Sequence, residues 1–474
     1  MVASFVSAIE VTIVATAMPT IVGALGDFDL FSWVFTAYLL TQGVTVPIYG
    51  RLCDFYGRKR MLYLGIVFFV LGSVLCGFAW NMISLVLFRV VQGLGGGSLA
   101  TVSQTIVSDL YPPPERAKVQ GYISTTFATS ALVGPVIGAF IVAHWSWQWV
   151  FWCNVPLCAV AVAMLAATFR EHLELRPHKI DYLGSLYMAL ATGMLMYALT
   201  RAAVLPLATI LLLLGGAVVA AILLLVQETR AREPMLPLEI WRNRMVVLGN
   251  CASASLGGAQ MAITAFLPPF IQGVLGESAF LGGLALTAMS VAWPTGGFIA
   301  GRSLLRISYR QSSSTGAIVL VAGCVMMALL DPSRGAAWAI ASSFVVGLGM
   351  GLTNMGFFVG IQSSVEWNQR GVVTSSFNYS RIIGQSVGTA IFGGIVNAAL
   401  VGKVAGGSDV VNRLLDPALR RAVPTADFAP AMAAFAGALH RIYLINLLLA
   451  LLTMGWALAL PRGLSLHSHM KKDN

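Results

Sequence analysis

Gly50-Arg51-Leu52-Cys53-Asp54-Phe55-Tyr56-Gly57-Arg58-Lys59-Arg60 holds four cations and one acid between two runs, 32–50 and 61–80, that carry no charge at all. A run of about 20 apolar residues is long enough to cross a bilayer as a helix. A short basic break between two such runs is where a membrane chain turns back. Outward from this turn the pattern repeats. The expected spans are 1–25, 32–50, 61–80, 83–107, 119–143, 149–168, 181–200, 204–227, 247–270, 281–300, 314–331, 336–360, 372–400 and 438–460. Pro268-Pro269 and Gly273 interrupt the pattern around 268–285.

Composition agrees. Of 474 residues, 57% are hydrophobic and 10% charged, against roughly 25% charged in a soluble domain. A soluble enzyme, a disordered scaffold and a secreted disulfide module are excluded. The apolar residues would fill about thirteen or fourteen crossings. The expected fold is an all-α polytopic membrane protein of fourteen transmembrane helices.

The net charge of +10 first suggests an acidic partner, but its distribution reads as topology. With a cytoplasmic N-terminus, Arg201, Arg334, Lys403, Arg413, Arg420, Arg421 and Arg441 fall outside. Arg89 and Arg381 fall within spans, and the remaining twenty of the 29 Lys and Arg lie inside. This is the positive-inside asymmetry and not a nucleic-acid surface. Both termini are expected in the cytoplasm of a bacterial inner membrane. No Lys or Arg precedes Arg51, so residues 1–25 lack the basic start of a signal peptide and read as a retained span. That span begins abruptly at Met1, which leaves room for a start upstream. Six scattered cysteines and six histidines form no ligand spacing, so neither a metal nor a disulfide framework is expected.

The chain repeats itself. Gly93-Leu94-Gly95-Gly96-Gly97 recurs as Gly347-Leu348-Gly349-Met350-Gly351, offset by 254, and Gly50-Arg51 recurs as Gly301-Arg302, offset by 251. Parallel six-helix repeats are a transporter signature. The expected parts are a bundle over 1–170, an inserted hairpin over 181–227, and a second bundle over 245–460. The second bundle includes a long outer loop at about 401–437.

Glu10 is the one acid deep within an expected span. A charge there is costly unless neutralised, paired or wetted, and desolvation favours its protonated form. It is a candidate for proton exchange, although Met1 is near enough for it to reach the cytoplasm instead. Arg89, which stays charged, needs water or a partner. Arg381 has no acidic neighbour in sequence, and its role is not readable. In the turn quoted above, Gly50, Arg51, Asp54, Gly57, Arg58 and Lys59 read equally as a latch between bundles or as a plain basic loop. Gly134, Pro135 and Gly138 give one helix a smooth face. Trp33, Tyr38, Gln42, Gln92, Gln260, Gln272 and Asn354 are candidates to line a substrate cavity. Trp33 and Tyr38 read equally as an interfacial aromatic belt.

Several of these segments resemble the major facilitator superfamily. The quoted turn is similar to its G-x-L-x-D-x-x-G-R-K/R loop. Arg89-Val90-Val91-Gln92-Gly93-Leu94-Gly95 resembles its fourth-helix motif. Gly134-Pro135-Val136-Ile137-Gly138-Ala139 resembles the fifth-helix motif of its antiporters. Thr12 to Pro19, Trp147 to Pro156 and Arg381 to Gln385 resemble its fourteen-helix drug:proton antiporter branch. There are departures. Glu10 stands where that branch usually has Asp, Ala139 replaces a Gly, and the second copy of the loop has lost its acid.

The resemblance implies two six-helix bundles with an inserted hairpin, a proton-coupling role for Arg89, and a seal between the halves at Gly134 to Gly138. It also implies proton-driven export of lipophilic, often cationic, drugs by alternating access. The energy source would be the proton gradient with no cofactor, and the partners would be protons, a small-molecule substrate and lipid. A monomer is expected. An exporter of a specific lipid, siderophore or metabolite fits the same residues. A membrane enzyme would need clustered acids or nucleophiles at one face, and Asp109, Glu115, Glu171 and Glu174 show no such spacing.

Overall fold

The computed structural model describes residues 1–110, 113–168, 181–202, 205–230, 238–304, 306–366, 369–400 and 425–461, with side chains in 104–131 described only in part. Every regular element among them is helical. In lipid each backbone amide must be satisfied within its own segment, which leaves the helix as the element these apolar runs can form.

The first half holds α1 (Val2–Leu25), α2 (Phe31–Tyr56), α3 (Arg58–Gly77), α4 (Met82–Leu110), α5 (Pro113–His144) and α6 (Asn154–Thr168). The hairpin is α7 (Tyr182–Thr200) and α8 (Leu207–Arg230). The second half holds α9 (Arg244–Thr264), α10 (Ala279–Ser303), α11 (Tyr309–Ala328), α12 (Gly335–Ser363), α13 (Arg370–Leu400) and α14 (Thr425–Leu458). Eleven helices among the described residues are long and apolar enough to cross a membrane. That is fewer than the expected fourteen. The expected spans 32–50, 119–143 and 181–200 are helical but fall outside this set.

Helix ends follow local chemistry. Ser308 and Gln311 form a reciprocal capping box at the start of α11, and Asn243 and Asp181 cap α9 and α7 through their side chains. Such caps satisfy amides that have no partner within the helix. The quoted turn is shorter than the sequence suggests. α2 runs on to Tyr56, and Gly57 alone separates it from α3, at φ 89°, a conformation that favours glycine. α9 continues past Thr264 through Leu267–Pro269 and a π-helical turn, Phe270–Val274. Pro268-Pro269 therefore distorts this span without ending it. The expected outer loop at 401–437 is also corrected: α14 begins at Thr425, and residues 401–424 lie outside the described ones.

The internal repeat is visible in the packing. Gly72 of α3 sits against the backbone of Gln92, and Gly323 of α11 sits against that of Val346. These contacts are related by the same offsets of 251 and 254 that relate the sequences. The halves meet along two seams. α5 packs on α10, where Thr287 donates to the Leu132 carbonyl at 3.5 Å. α2 packs on α13, where Ile382 lies at Gly43 and Asn397 donates to the Asp29 carbonyl at 3.0 Å. At the end where α1 meets α2, the seams close over an aromatic layer. Phe28 and Phe31 of the first half touch Phe435 and Phe266 of the second at 5.6 Å, and Phe266 stacks edge-on to Phe392 at 5.8 Å. Toward the opposite end a separate apolar cluster, including Met245, Phe357 and Phe377, is built from the second half alone. The halves are joined at one end.

The hairpin lies over the α2–α13 seam, touching both helices through α7, with Trp33 of α2 against Tyr197 at 5.8 Å. Its open ends are tied by Gln227 donating to Asp181 at 2.9 Å. α8 turns most of its surface outward, with Leu211, Leu212, Val218 and Leu225 all exposed.

Candidate functional site

Glu10 and Arg89 come together. Both are wholly buried, and Arg89 Nη1 donates to Glu10 Oε1 in a direct ion pair. The second carboxylate oxygen accepts from Asn154 Nδ2 of α6 at 2.6 Å. Arg89 Nε donates to the Val34 carbonyl of α2 at 3.0 Å, and Nη1 also donates to Gln92 Oε1 at 2.7 Å. Gln92 Nε2 in turn donates to Ser73 Oγ of α3 at 2.8 Å. The guanidinium lies 4.2 Å from the centre of the Tyr38 ring, a distance at which a cation is attracted to the ring face. Side chains from α1, α2, α3, α4 and α6 thus converge on one pair.

The arrangement follows from the sequence locally. Arg89 and Gln92 are three apart and share a face of α4. Gly93 lets α4 approach α2 until a Cβ there would sit 1.9 Å from Thr41 Oγ1. A buried charge left alone is expensive, whereas a paired and hydrogen-bonded one is tolerated. Protonating Glu10 would cancel the ion pair and leave Arg89 charged without its counter-ion. That makes the network a candidate two-state element. At the offset of 254, Arg89 corresponds to Ser343 and Gln92 to Val346, both buried. The second half therefore has no counterpart to the pair.

Four of the cavity candidates are placed elsewhere. Tyr38 and Gln92 are built into the ion-pair network and fully covered. Gln42 is buried and donates weakly to the Gly96 carbonyl at 3.5 Å. Trp33 faces the hairpin. Aromatic and amide side chains were read as cavity lining because sequence alone does not tell a helix–helix contact from an open face. Gln272 is half-buried and donates to the Thr16 carbonyl of α1 at 3.4 Å, across the two halves. Gln260 is half-buried and accepts from Gln385 at 2.8 Å. Asn354 is half-buried on α12. Both Glu10 carboxylate oxygens are engaged, one by Arg89 and one by Asn154, and the side chain is wholly buried.

A family model described as Major Facilitator Superfamily matches residues 1–389. The chain belongs to the major facilitator superfamily. It is similar to Multidrug resistance protein 3 of Bacillus subtilis (strain 168), 32% identical over 423 residues, covering 87% of this chain and 83% of that one. It is also similar to the Multidrug transporter protein MdtP of the same organism, 33% identical over 406 residues, covering 84% and 74%. Among solved structures, a bacterial homologue of the human lysosomal transporter Spinster, inward-facing and unoccupied, superposes with a TM-score of 0.64. It is 16% identical and covers 96% of this chain and 94% of that one. This major facilitator is a multi-pass membrane transporter of small molecules and not an enzyme.

The remaining motif residues of this major facilitator divide. Gly134 and Gly138 press against Thr12 and Ile13 of α1, within their own half, and not across the seam as expected. Pro135 makes the contact between halves: its carbonyl oxygen would lie 2.8 Å from a Cβ at Gly283 of α10. In the loop motif, Arg58 Nη1 folds back toward the Cys53 carbonyl at 3.4 Å, and Lys59 is half-exposed. The side chains of Arg51 and Asp54, and the surroundings of Gly50, lie outside the described residues. Arg381 is half-buried on α13.

Sequence reasoning missed Asn154, Ser73 and Glu228. Asn154 belongs to a segment noted only for its resemblance, and one Ser in an apolar run carries no signal. Glu228 is 4% exposed near the end of α8, where charge patterning reads as the edge of a span.

Proposed function

We propose that this chain is a proton-coupled antiporter that exports lipophilic small molecules across the cytoplasmic membrane by alternating access. Its Glu10–Arg89 pair is the coupling element. The observation that carries this reading is a carboxylate held in a wholly buried network that joins five helices. A carboxylate so placed converts one proton into a changed set of helix contacts. A ligand or proton shifts such an equilibrium only through its different affinity for the two states. Relatives named as multidrug transporters support export. On this reading the protein works as a monomer with both termini cytoplasmic, and the aromatic layer closes the outer face.

The test is efflux of a fluorescent lipophilic dye from cells lacking their own pumps. Wild type, Glu10→Gln and Arg89→Lys are compared, each with and without a protonophore. Efflux by wild type that collapses with protonophore and is lost in Glu10→Gln is the expected result. Efflux that persists through both treatments would remove Glu10 from coupling.

A further inference from the structure

Arg381 is the second arginine set deep among the helices, and it is answered differently from Arg89. It lies 11 residues into α13, about 16 Å from the helix start. No hydrogen bond or ion pair to its side chain is found among the described residues. The helices α9 to α13 contain no Asp or Glu anywhere in their sequence, and the Glu10 carboxylate is already taken.

The side chain's direction is fixed by its neighbours. Ile382 points at Gly43 of α2, the Arg381 carbonyl packs on Gly257 of α9, and Gln385 reaches Gln260 of α9. Successive helical residues are about 100° apart. This puts Arg381, with Asn378 and Gln385 on the same face, between α2 of the first half and α9 of the second. Half-buried Arg381 therefore faces the region between the halves, where alternating-access transporters hold their substrate.

We propose that Arg381 is the anion-binding group of the substrate site, and that the exported compounds are amphipathic organic acids. No counter-charge for this fixed cation is found among the described residues. A ligand carboxylate supplies one, in the bidentate geometry that a guanidinium favours. Gln260, Gln385 and Asn378 offer neutral hydrogen bonds beside it. A lipophilic cation would meet the opposite: an unpaired positive charge and, among the described residues of α9 to α13, no acid. The proposal rests on the export reading for its physiology, but binding can be measured without transport.

The experiment compares two dyes built on one xanthene ring, the anion fluorescein and the cation rhodamine 6G. Binding to the full chain in lipid nanodiscs is read by anisotropy, and efflux is read in cells lacking their own pumps. Wild type is expected to bind fluorescein. Arg381→Gln should weaken that binding about tenfold or more, Arg381→Lys should recover part of it, and rhodamine 6G should bind no worse to Arg381→Gln. Matched size-exclusion profiles, with the Lys variant, separate loss of the site from loss of the fold. Absence of fluorescein binding by wild type, or equal binding by Arg381→Gln, overturns the proposal. Rhodamine efflux by wild type together with no Arg381-dependent binding of fluorescein overturns the anion site while leaving export standing. Arg381-dependent fluorescein binding without efflux of either dye supports the site and removes export.

Discussion

The contrast between two arginines sets the chemistry at the scale of single residues. Arg89 is neutralised and sealed by Glu10, Gln92 and Tyr38, whereas Arg381 is half-buried and has no counter-charge among the described residues. Removing one member of a buried pair strands the other, at a cost of about 3–5 kcal/mol. Glu10→Gln and Arg89→Gln are each expected to lower the unfolding midpoint, and the double substitution should lose less than the sum of the two. A thiol-reactive dye in micelles reads this, since Cys76 and Cys158 are buried until the bundle opens. Strict additivity would mean that the pair does not act as a unit. Each member was legible as a misplaced charge. Their pairing was not, because it spans 79 positions and depends on which faces of α1 and α4 meet. The place of Tyr38 over the Arg89 guanidinium was not legible for the same reason.

Helices were more legible than their neighbours. Every expected span has a helix, since apolar length and charged breaks are local properties. Helix ends were less so: α14 starts thirteen residues earlier than expected, and α9 runs through two prolines. Which helix each glycine face touches was not readable, and Gly134 and Gly138 meet α1 of their own half where the resemblance implies the other half. The α5–α10 seam turns instead on Gly283, where an added Cβ meets the Pro135 carbonyl. Gly283→Val is therefore expected to push the halves apart there. Overpacking typically costs about 1–3 kcal/mol, which shifts the balance between closed and open by about five- to 150-fold. Spin labels at the exposed Phe140 and Phe280 should show a larger share of long distances. Unchanged distances would mean that the seam does not limit closure.

For the molecule as a whole, the two proposals together have an electrical consequence. One organic anion leaving for one proton entering moves two charges in the same sense. At about 2.3 kcal/mol per charge per 100 mV, that adds about 4.6 kcal/mol of drive to whatever the pH gradient supplies. A cation exchanged for a proton would add nothing. Fluorescein flux in proteoliposomes with equal pH on both sides should therefore rise when a potassium diffusion potential is imposed with valinomycin. A flux unmoved by voltage would refute one-for-one anion–proton exchange.

The hairpin gives the surrounding lipid a mechanical part in this cycle. α8 is 24 residues long, about 36 Å by helix rise, in a hydrocarbon layer of about 30 Å. It must lean to fit. Its partner α7 lies across the seam between α2 and α13, which has to slide when the halves rock. A thicker or thinner bilayer changes that lean and so the load on the seam. Acyl-chain length thus becomes a setting of turnover, felt through a helix that touches neither substrate nor proton.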